Sequence, residues 1–377
     1  MVPDNSPIHV AMMAVGSRHL PKIFTLVKNI LYYQGRIHPQ MNGCNLSVAT
    51  ISTSQCETSE PEEPNPLHIH LITDKESRAA VIDYFYPMHL ARFQLHFYDF
   101  GSLHDIINYV PDELFNPRER KWKRRCRTWL PTRFCKWINT FAKVSHSNWT
   151  ILKVAWPEIL PHSVNKILAI DTDVIFNQNI RNLWNHFCRF NSTQMVGGVF
   201  EMTESLKEHM DSPEQPMIGN GFNSGVLLLD LQKMRHQNWA SIWRETVVNI
   251  NATDRTLPFP DQKIYNVIMY RKRHYFYEIT CEWNIVITKK APLTICPVAW
   301  IVGVPNRRNC LIPAGSVLRL AGVIHHCDKP KPGDIPNEGF RNRSPVKTVK
   351  LFRYQDMHST FREVYYAFEQ MDKRCFI

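Results

Sequence analysis

The chain has 377 residues, of which 44% are hydrophobic, so it can bury a large core and is too apolar to be a disordered protein. Its formal net charge of +11 favours anionic partners such as phosphates, acidic glycans, nucleic acids or membrane surfaces, without choosing among them. The ten cysteines are too widely spread for a disulfide scaffold, and no two of them have the CxxC spacing of a zinc site.

The first predicted elements alternate between strands and helices. Residues 8–16 form a short apolar run that ends in glycine, which predicts a strand, and residues 20–33 have apolar side chains at helical spacing. A second strand is predicted over 67–73, a second helix over 75–90 and a third strand over 93–98. This alternation indicates an α/β fold with a mostly parallel, mixed sheet, helices on both faces, and ligands beyond the carboxyl ends of the strands.

Two segments interrupt this alternation and are predicted to be surface insertions. Residues 36–66 are rich in Ser, Thr, Pro and Glu, and residues 117–147 are rich in basic and aromatic residues. Neither has the periodicity of a separate domain, so we expect one domain over residues 1–377. Residues 118–127 contain seven Lys or Arg residues, which we interpret as a solvated face. A contact with an acidic acceptor or a membrane, or a nucleic-acid patch, is the alternative.

Several features bear on the cellular compartment. Cys44 with Cys56, and Cys126 with Cys135, are spaced for local disulfides in an oxidising lumen, although reduced buried thiols fit the spacing equally well. Four glycosylation sequons also fit a secretory protein: Asn45, Asn148, Asn191 and Asn251. No uninterrupted apolar run of about 18 residues is present, so we expect any membrane anchor to lie outside this chain.

The central motif follows the next predicted strand. A helix is predicted over 150–160 and a buried apolar strand over 166–170, and Asp171-Thr-Asp173 comes directly after that strand. Carboxylates at i and i+2 of an extended chain point to the same side, so they can share one divalent cation at the sheet edge. This geometry suits Mn²⁺ or Mg²⁺ that bridges to the pyrophosphate of a nucleotide sugar.

Further polar residues lie where the chain changes from one element to the next. They are Lys153, Asn223, Asp261, Gln262, His325 and Lys331. Asn223 lies in a Gly-Phe-Asn-Ser-Gly segment that opens an apolar strand predicted over 225–231. Taken alone, Lys153 is also typical of a solvated helix and His325 of a satisfied core histidine. Gln262 is also typical of a helix N-terminus that Asp261 caps.

Taken together, these residues resemble the family 8 glycosyltransferases, the glycogenin-like retaining enzymes, and are similar to the xylosyltransferase domain of LARGE-type enzymes. The segments that carry the resemblance occur in the family's order: 8–11, 68–72, 168–173, 221–226, 261–262, 281–284 and 323–325. Glucoside xylosyltransferases share the Asn-Ser-Gly-Val and Cys-x-Trp-Asn features, so the subfamily stays open. The resemblance implies a GT-A-type nucleotide-diphospho-sugar transferase fold.

The resemblance also implies a metal and a donor site. Asp171 and Asp173 would bind Mn²⁺, with Mg²⁺ as the alternative, and His325 would be the third protein ligand through a neutral imidazole nitrogen. Lys331 would assist at the diphosphate. The residues expected to bind the UDP-sugar donor are Ala14, Val15, Gly16, Lys153, Asp171 and Lys331, the first three by holding the uridine with backbone groups.

At the sugar itself, the resemblance implies three catalytic residues. Asn223 and Asp261 would hydrogen-bond the sugar, and Gln262 would lie near the anomeric carbon. Family 8 enzymes retain the anomeric configuration, yet no carboxylate is placed as a nucleophile. We therefore expect a same-face attack on an oxocarbenium-like state, with the departing phosphate taking the acceptor's proton.

Two residues depart from the family pattern. Asp328 stands where many members have a glycine, and His326 stands where LARGE-type enzymes have Trp. A carboxylate at Asp328 would weaken donor binding unless it faces away from the diphosphate or touches the metal.

The implied function is the transfer of xylose from UDP-xylose to a glycan acceptor on a glycoprotein. The resemblance to LARGE-type enzymes, which add xylose to glucuronic acid, makes glucuronic acid the candidate acceptor, and the net charge of +11 would suit it. The implied location is the Golgi lumen, as part of a type II membrane protein. Alternatives are a glucoside xylosyltransferase or another UDP-hexose transferase of the same family, and a non-catalytic sugar-nucleotide-binding protein. A nucleic-acid-binding protein is a weaker alternative that rests on residues 118–127 alone.

Overall fold

The structure is a computed structural model that describes residues 5–38, 44, 46, 63–109, 150–203, 217–253, 260–288, 296–301, 318–334, 348–350 and 354–377. Of the predicted insertions, 117–147 and most of 36–66 lie outside the described residues, together with the basic segment 118–127. The predicted pair of Cys126 and Cys135 also lies outside them.

The described elements up to residue 109 follow the predicted alternation. They are β1 (Ile8–Ala14), α1 (Leu20–Tyr33), β2 (Leu67–Thr73), α2 (Lys75–Phe85), β3 (Phe93–Asp99) and α3 (His104–Asn108). The predicted second helix is shorter than expected and is followed by a 3-10 turn over Tyr86–Met88. Pro87 explains this end, because it lacks the N–H that would bond to the carbonyl of Asp83 in a continuing helix.

The elements from residue 150 to 253 build the centre of the sheet. They are α4 (Trp156–Ile159), β4 (Lys166–Ile170), β5 (Val174–Phe176), α5 (Ile180–Trp184), β6 (Val196–Phe200), β7 (Phe222–Asp230), α6 (Leu231–His236) and α7 (Trp239–Thr253). The predicted continuous helix over 150–160 is wrong. Pro157 cannot donate to the carbonyl of Lys153, so the segment is a 3-10 turn, Thr150–Lys153, and then the short α4. The Tyr265 hydroxyl donates to the Lys153 carbonyl instead, at 3.0 Å.

The remaining described elements complete the fold. They are α8 (Pro260–Arg271), β8 (Phe276–Glu278), β9 (Ile285–Ile287), β10 (Val298–Ile301), β11 (Arg319–Leu320), β12 (Val323–His326), β13 (Thr348–Lys350) and α9 (Tyr354–Gln370). No helix within these described ranges is long and apolar enough to cross a membrane.

The main sheet is mixed and mostly parallel, as predicted. Its strand order is β3-β2-β1-β4-β7-β6-β8, and only β7 runs antiparallel to its two neighbours among the described pairings. A smaller sheet has the order β5-β12-β9, and another has β11-β10-β13. Buried apolar side chains form one core against α1 and α9 and a second core against α7 and α8, so helices cover both faces of the main sheet.

The described residues contain one long-range and one local disulfide. Cys44 bonds to Cys375 and Cys281 bonds to Cys296. The predicted local pair of Cys44 with Cys56 is therefore wrong. The C-terminal segment packs beside the residues that follow α1, where the His38 amide donates to the Cys375 carbonyl at 2.9 Å. Spacing along the sequence could not reveal this long-range contact.

Candidate functional site

The candidate site lies where β1 and β4 end side by side. These strands are parallel neighbours, so the residues after Ala14 and after Ile170 meet at the same edge of the main sheet. An open cleft at this edge is lined by residues from β1, the 3-10 turn before α4 and the Asp171 motif, among them Val15, Lys153, Trp156 and Asp171. The position of this cleft agrees with the predicted carboxyl-end site.

The structure brings Asp171, Asp173 and His325 together. The His325 Nε2 atom lies 3.3 Å from Asp173 Oδ1 and 3.9 Å from Asp171 Oδ2. One ligand atom from each of the three residues lies within 4.8 Å of the others. The pairing of β12 with β5 brings the histidine close, because it sets His325 opposite Val174, the residue after Asp173.

These three side chains fit one divalent ion. Adjacent ligands of an octahedral ion with bonds of about 2.1 Å lie about 3 Å apart. The separations of 3.3 and 3.9 Å are slightly wider, so small side-chain movements would complete the coordination. Two carboxylates and one imidazole form the kind of ligand set that suits Mn²⁺ or Mg²⁺, and the nitrogen favours the transition metal.

The close approach of His325 to β7 requires glycine at position 225. A Cβ atom on Gly225 would lie 2.2 Å from Cε1 and 2.6 Å from Nδ1 of the His325 ring. The Gly225 carbonyl also accepts a hydrogen bond of 2.8 Å from the Asp171 amide. This glycine therefore makes room for the imidazole and also positions the first acid.

Asn284 fixes the orientation of the His325 ring. Its Nδ2 donates to Asn223 Oδ1 at 3.1 Å, so its Oδ1 faces the imidazole and accepts from His325 Nδ1 at 3.1 Å. The lone pair of Nε2 is then available on the side of the two acids. Asn284 is the last residue of the Cys-x-Trp-Asn feature, and its role could not be predicted from that feature.

Glu201 is a second residue that the sequence analysis missed. Its Oε2 accepts from Asn223 Nδ2 at 3.0 Å, and its Oε1 accepts from the Met202 and Thr203 amides at 2.9 and 3.2 Å. Asn223 is thus held by Glu201, by Asn284 and by the amide of Gly225, which donates to its Oδ1 at 2.8 Å. Glu201 directly follows β6 and belongs to none of the sequence motifs, so no pattern in the sequence indicated this role.

We expect Asn284→Ala to weaken Mn²⁺ binding by about 10- to 100-fold, because removal of a partner of a ligating histidine typically has this effect. The Mn²⁺ affinity is measured by titration, with calorimetry or electron paramagnetic resonance as the readout. Asn182→Ala, which removes an exposed asparagine on α5, serves as the control and should bind Mn²⁺ normally. Equal affinity in the two variants would show that Asn284 does not orient the ligand.

Lys153 bridges two of the predicted site residues. Its Nζ lies 2.5 Å from Asp171 Oδ1 and 3.1 Å from Asp261 Oδ2. Burial lowers the pKa of this lysine, but the two carboxylates outweigh burial and raise the pKa above its usual value. Lys153 therefore carries a charge inside the site, and its interpretation as a solvated helix lysine is wrong.

Lys331 lies on the opposite side of the acids. Its Nζ is 2.6 Å from Asp173 Oδ2 and donates to the His326 carbonyl at 2.7 Å. Burial lowers the pKa of Lys331, and Asp173 raises it to a net value above normal. Burial raises the pKa of Asp173, but Lys331 and His325 lower it well below its usual range. Asp173 is therefore ionised and ready to bind a cation.

The pKa of His325 is shifted by neighbouring groups of the same cluster when no metal is bound. Burial lowers the pKa of the ring, but Cys327 and the Asp173 carboxylate raise it well above the usual range. A divalent ion bound at Nε2 would replace the proton that this environment favours.

Asp261 and Gln262 lie in the first turn of α8, beside β7. The Ser224 hydroxyl donates to Asp261 Oδ2 at 2.7 Å, and it lies 3.4 Å from Gln262 Oε1. Asp261 is inside the helix that begins at Pro260 and bonds Lys153 and Ser224, so its interpretation as a helix cap is wrong. Gln262 Nε2 is buried and has no hydrogen-bond partner in the described part of the chain. It is therefore a donor available to a bound sugar.

The three residues predicted to hold the uridine lie at the end of β1, and each has a different environment. Ala14 is fully buried in the core, while Val15 lines the cleft. Gly16 has a positive φ of 86°, and its amide donates to Asp74 Oδ2 at 2.6 Å. The Gly16 amide is thus already bonded within the protein.

The two departures from the family pattern lie next to α9. The His326 ring packs against His358 and Phe361, with ring centres 5.3 and 5.2 Å away. The Asp328 carboxylate lies 3.9 Å from His358 Nε2. Asp328 therefore faces His358 of α9.

Comparisons with known proteins agree with this geometry. The model of glycosyl transferase family 8 matches residues 120–332, more than half of the chain. Mouse "Xylosyl- and glucuronyltransferase LARGE2" is 24% identical over 288 residues, which cover 76% of this chain and 33% of that protein. For human LARGE2 the values are 23% over 283 residues, 74% and 31%. The chain thus spans about a third of the length of these relatives.

A solved structure, mouse Xyloside xylosyltransferase 1 in its apo form, has a similar fold. The TM-score is 0.51 at 18% sequence identity, and the match covers 75% of this chain and 88% of that one. At this identity the likeness is informative about the fold alone.

Proposed function

The chain belongs to glycosyltransferase family 8, and from this premise we propose that it is a retaining, metal-dependent enzyme that moves xylose from UDP-xylose to a glycan acceptor. The GT-A-type fold and the relationship to LARGE xylosyl- and glucuronyltransferases, both expected from the sequence, are confirmed. We further propose that residues 1–377 form one transferase domain, in which 36–66 and 117–147 are insertions.

The observation that carries the proposal is the convergence of Asp171, Asp173 and His325 beside the cleft. We propose that they hold Mn²⁺, with Mg²⁺ as the alternative. When bound, the metal would stabilise the second negative charge that UDP acquires as the sugar departs. Asn284 would keep the imidazole in the tautomer that this ligand set requires.

The two lysines would act on the phosphates. Lys153 and Lys331 pair with Asp171 and Asp173, and both lysines would be released from these ion pairs if the two acids held a cation. Both ammonium groups are then available to phosphate oxygens or, for Lys153, to the donor sugar. The uridine would lie at the end of β1 beside Ala14, Val15 and Gly16. Val15 lines the cleft and would make the contact, whereas the Gly16 amide and carbonyl are already bonded to Asp74 and His19.

The sugar would lie between β7 and α8. Asn223 and Asp261 would bind its hydroxyl groups. Gln262 Nε2, which has no partner among the described residues, would donate to a group near the anomeric carbon. As the bond from that carbon to the phosphate oxygen breaks, the acceptor oxygen bonds to the same face. Because the acceptor bonds to the face that the phosphate leaves, retention requires no carboxylate nucleophile. The acceptor's proton passes to the departing phosphate.

Support for xylose and for an acidic acceptor comes from likeness and charge. The LARGE2 relatives are xylosyl- and glucuronyltransferases, and the net charge of +11 suits an acceptor such as glucuronic acid. We propose a lumenal Golgi location, with a type II anchor outside this chain, and the two disulfides of the described residues are compatible with an oxidising lumen. A UDP-hexose transferase of the same family is the alternative to be tested.

The test is a panel of UDP-sugars with Mn²⁺, in which release of UDP and sugar transfer are both measured. We expect UDP-xylose to be used at least tenfold faster than UDP-glucose or UDP-galactose. Chelation of the metal by EDTA should abolish the reaction, and added Mn²⁺ should restore it.

The possible outcomes separate the alternatives. Faster turnover of UDP-glucose or UDP-galactose would show that the donor sugar is a hexose rather than xylose, while the proposed transferase activity would stand. Tight binding of UDP-sugars without any turnover, with glycan acceptors present, would identify a non-catalytic binding protein and contradict the proposed activity.

A further inference from the structure

A glycosylation sequon, Asn191-Ser-Thr193, lies in the turn between the 3-10 helix Asn185–Arg189 and β6. The proposed sugar transfer uses none of its residues. An N-linked glycan is bulky and hydrophilic, so a sequon can carry one only where it reaches the protein surface. All three sequon residues are exposed, so this sequon meets the requirement. We call residues 191–194 the Asn191 turn.

The side-chain amide of Asn191 is available for a covalent bond. Its Oδ1 accepts hydrogen bonds from the Thr193 amide and hydroxyl, both at 3.0 Å, and from the Gln194 amide at 2.9 Å. These contacts direct the oxygen into the turn. The Nδ2 atom, on the other arm of the carboxamide, makes no hydrogen bond within the described ranges. A sugar could therefore bond to Nδ2 without breaking a contact.

Other contacts hold the Asn191 turn in place. The Lys233 ammonium donates to the carbonyls of Asn191 and Gln194 at 2.6 and 3.0 Å, and Gln194 Oε1 accepts from the Asn191 amide at 3.0 Å. The Thr193 hydroxyl lies 3.1 Å from the His274 carbonyl. None of these contacts involves Nδ2, so a glycan would leave the turn and its anchoring intact.

The Asn191 turn lies toward the edge of the main sheet opposite the candidate cleft. Val196 at the start of β6 and Ile167 near the start of β4 both pair with Leu229 of β7, so they are at the same level of the sheet. Asp171 follows the other end of β4, four residues after Ile167, or about 13 Å at about 3.3 Å per residue. The turn precedes Val196 and is bonded to α6, which begins directly after β7. A glycan on the turn would therefore not cover the donor cleft.

Asn191 differs from the other sequons in its backbone setting. Asn251 belongs to α7 (Trp239–Thr253), so its sequon is helical. Asn45 and Asn148 lie outside the described residues. In the part of the chain that the structure describes, Asn191 is therefore the one sequon in an exposed turn.

We propose that Asn191 carries an N-linked oligosaccharide. The proposal rests on the lumenal location proposed above, with which the two disulfides are compatible. The donor would be an oligosaccharide linked to a lipid through a diphosphate. The bond from its anomeric carbon to the diphosphate oxygen breaks, the carbon bonds to Nδ2, and the amide loses one proton as the lipid diphosphate departs. The glycan would make the far edge of the sheet more hydrophilic and would take no part in sugar transfer.

The test uses the full chain, directed into the secretory pathway of animal cells by an added signal peptide. The secreted protein is treated with peptide-N-glycosidase in ¹⁸O water, which converts a glycosylated asparagine to labelled aspartate. Mass spectrometry then identifies the peptide that contains the Asn191 turn. We expect the labelled conversion at position 191 in most molecules. The variant Asn191→Gln should lose one glycan, seen as faster migration in electrophoresis.

Two substitutions at Thr193 provide matched controls. Thr193→Ala destroys the sequon but leaves Asn191 in place, and it should lose the same glycan as Asn191→Gln. Thr193→Ser preserves the sequon and should retain the glycan. Peptide mapping of the unmutated chain decides the question even where a variant fails to fold and is not secreted.

The outcomes separate this proposal from the proposed transferase. Asn191→Gln should retain the Mn²⁺-dependent turnover of UDP-sugar that the unmutated chain shows. An inactive chain in which Asn191 is glycosylated would contradict the transferase alone. A secreted, unmutated chain in which most molecules have an unmodified Asn191 would overturn the present proposal, whatever the transfer activity.

Discussion

Asp173→Asn is expected to reduce sugar transfer by about 10³-fold or more, because the variant would remove one of the two anionic ligands of the proposed metal and weaken its stabilisation of departing UDP. Asp173 also pairs with Lys331 at 2.6 Å and lies 3.3 Å from His325 Nε2. Asparagine has nearly the same shape and lacks the charge, so the change tests electrostatics with little effect on packing. The measurement is the rate of transfer at saturating UDP-sugar over a range of Mn²⁺ concentrations.

A matched control for this variant is Asp83→Asn, which removes an exposed carboxylate on α2. The control should retain full activity and unchanged Mn²⁺ affinity. A rate for Asp173→Asn within tenfold of the unmutated chain, at any attainable Mn²⁺ concentration, would mean that the carboxylate does not bind the catalytic metal. The proposed roles of Asp171 and His325 would then also have to be abandoned.

Gly225→Ala is expected to lower Mn²⁺ affinity by about 100-fold or more and to lower the free energy of unfolding by about 1–3 kcal/mol. The added Cβ would lie 2.2 Å from Cε1 of His325, so the ring must leave its position beside the acids. Calorimetric Mn²⁺ titration and chemical denaturation measure the two effects. Gly101→Ala is the control, since its Cβ would meet only the side chain of the exposed Asp99.

A double variant tests whether the clash with the His325 ring causes the loss of stability in Gly225→Ala. In Gly225→Ala/His325→Ala the clash with the ring is absent, so the free energy of unfolding should be higher than the sum of the two single effects predicts. Mn²⁺ binding should remain weak, because the third ligand is missing. If the two effects on unfolding simply add, then the ring and the glycine do not compete for the same space.

The acids of the site could be predicted from the sequence because the signal is local. An apolar run over 166–170 that ends in Asp-x-Asp predicts both the buried strand and the side on which its carboxylates lie. His325 is different, since nothing in its own surroundings links it to residues about 150 positions earlier. Only resemblance suggested the link, and the antiparallel pairing of β12 with β5 provides its physical basis.

The incorrect predictions also have local causes. Apolar spacing over 150–160 predicted one helix, but a proline in that segment outweighs periodicity because it removes a helical donor. Spacing along the sequence predicts Cys56 as the partner of Cys44, but the C-terminal segment packs beside α1 and brings Cys375 to Cys44 instead. Asn284 and Glu201 were missed because their roles consist of contacts with other site residues, which no spacing pattern reports.

The layout of the metal ligands has a consequence for biosynthesis. A ribosome that adds about 5–20 residues per second delivers the two acids of the motif roughly 10–30 s before the histidine that completes the cluster. Until β12 joins β5, the nascent chain has the carboxylates without the imidazole. High-affinity manganese uptake should therefore appear only after the last third of the polypeptide has been made, and metal loading would mark the completion of folding.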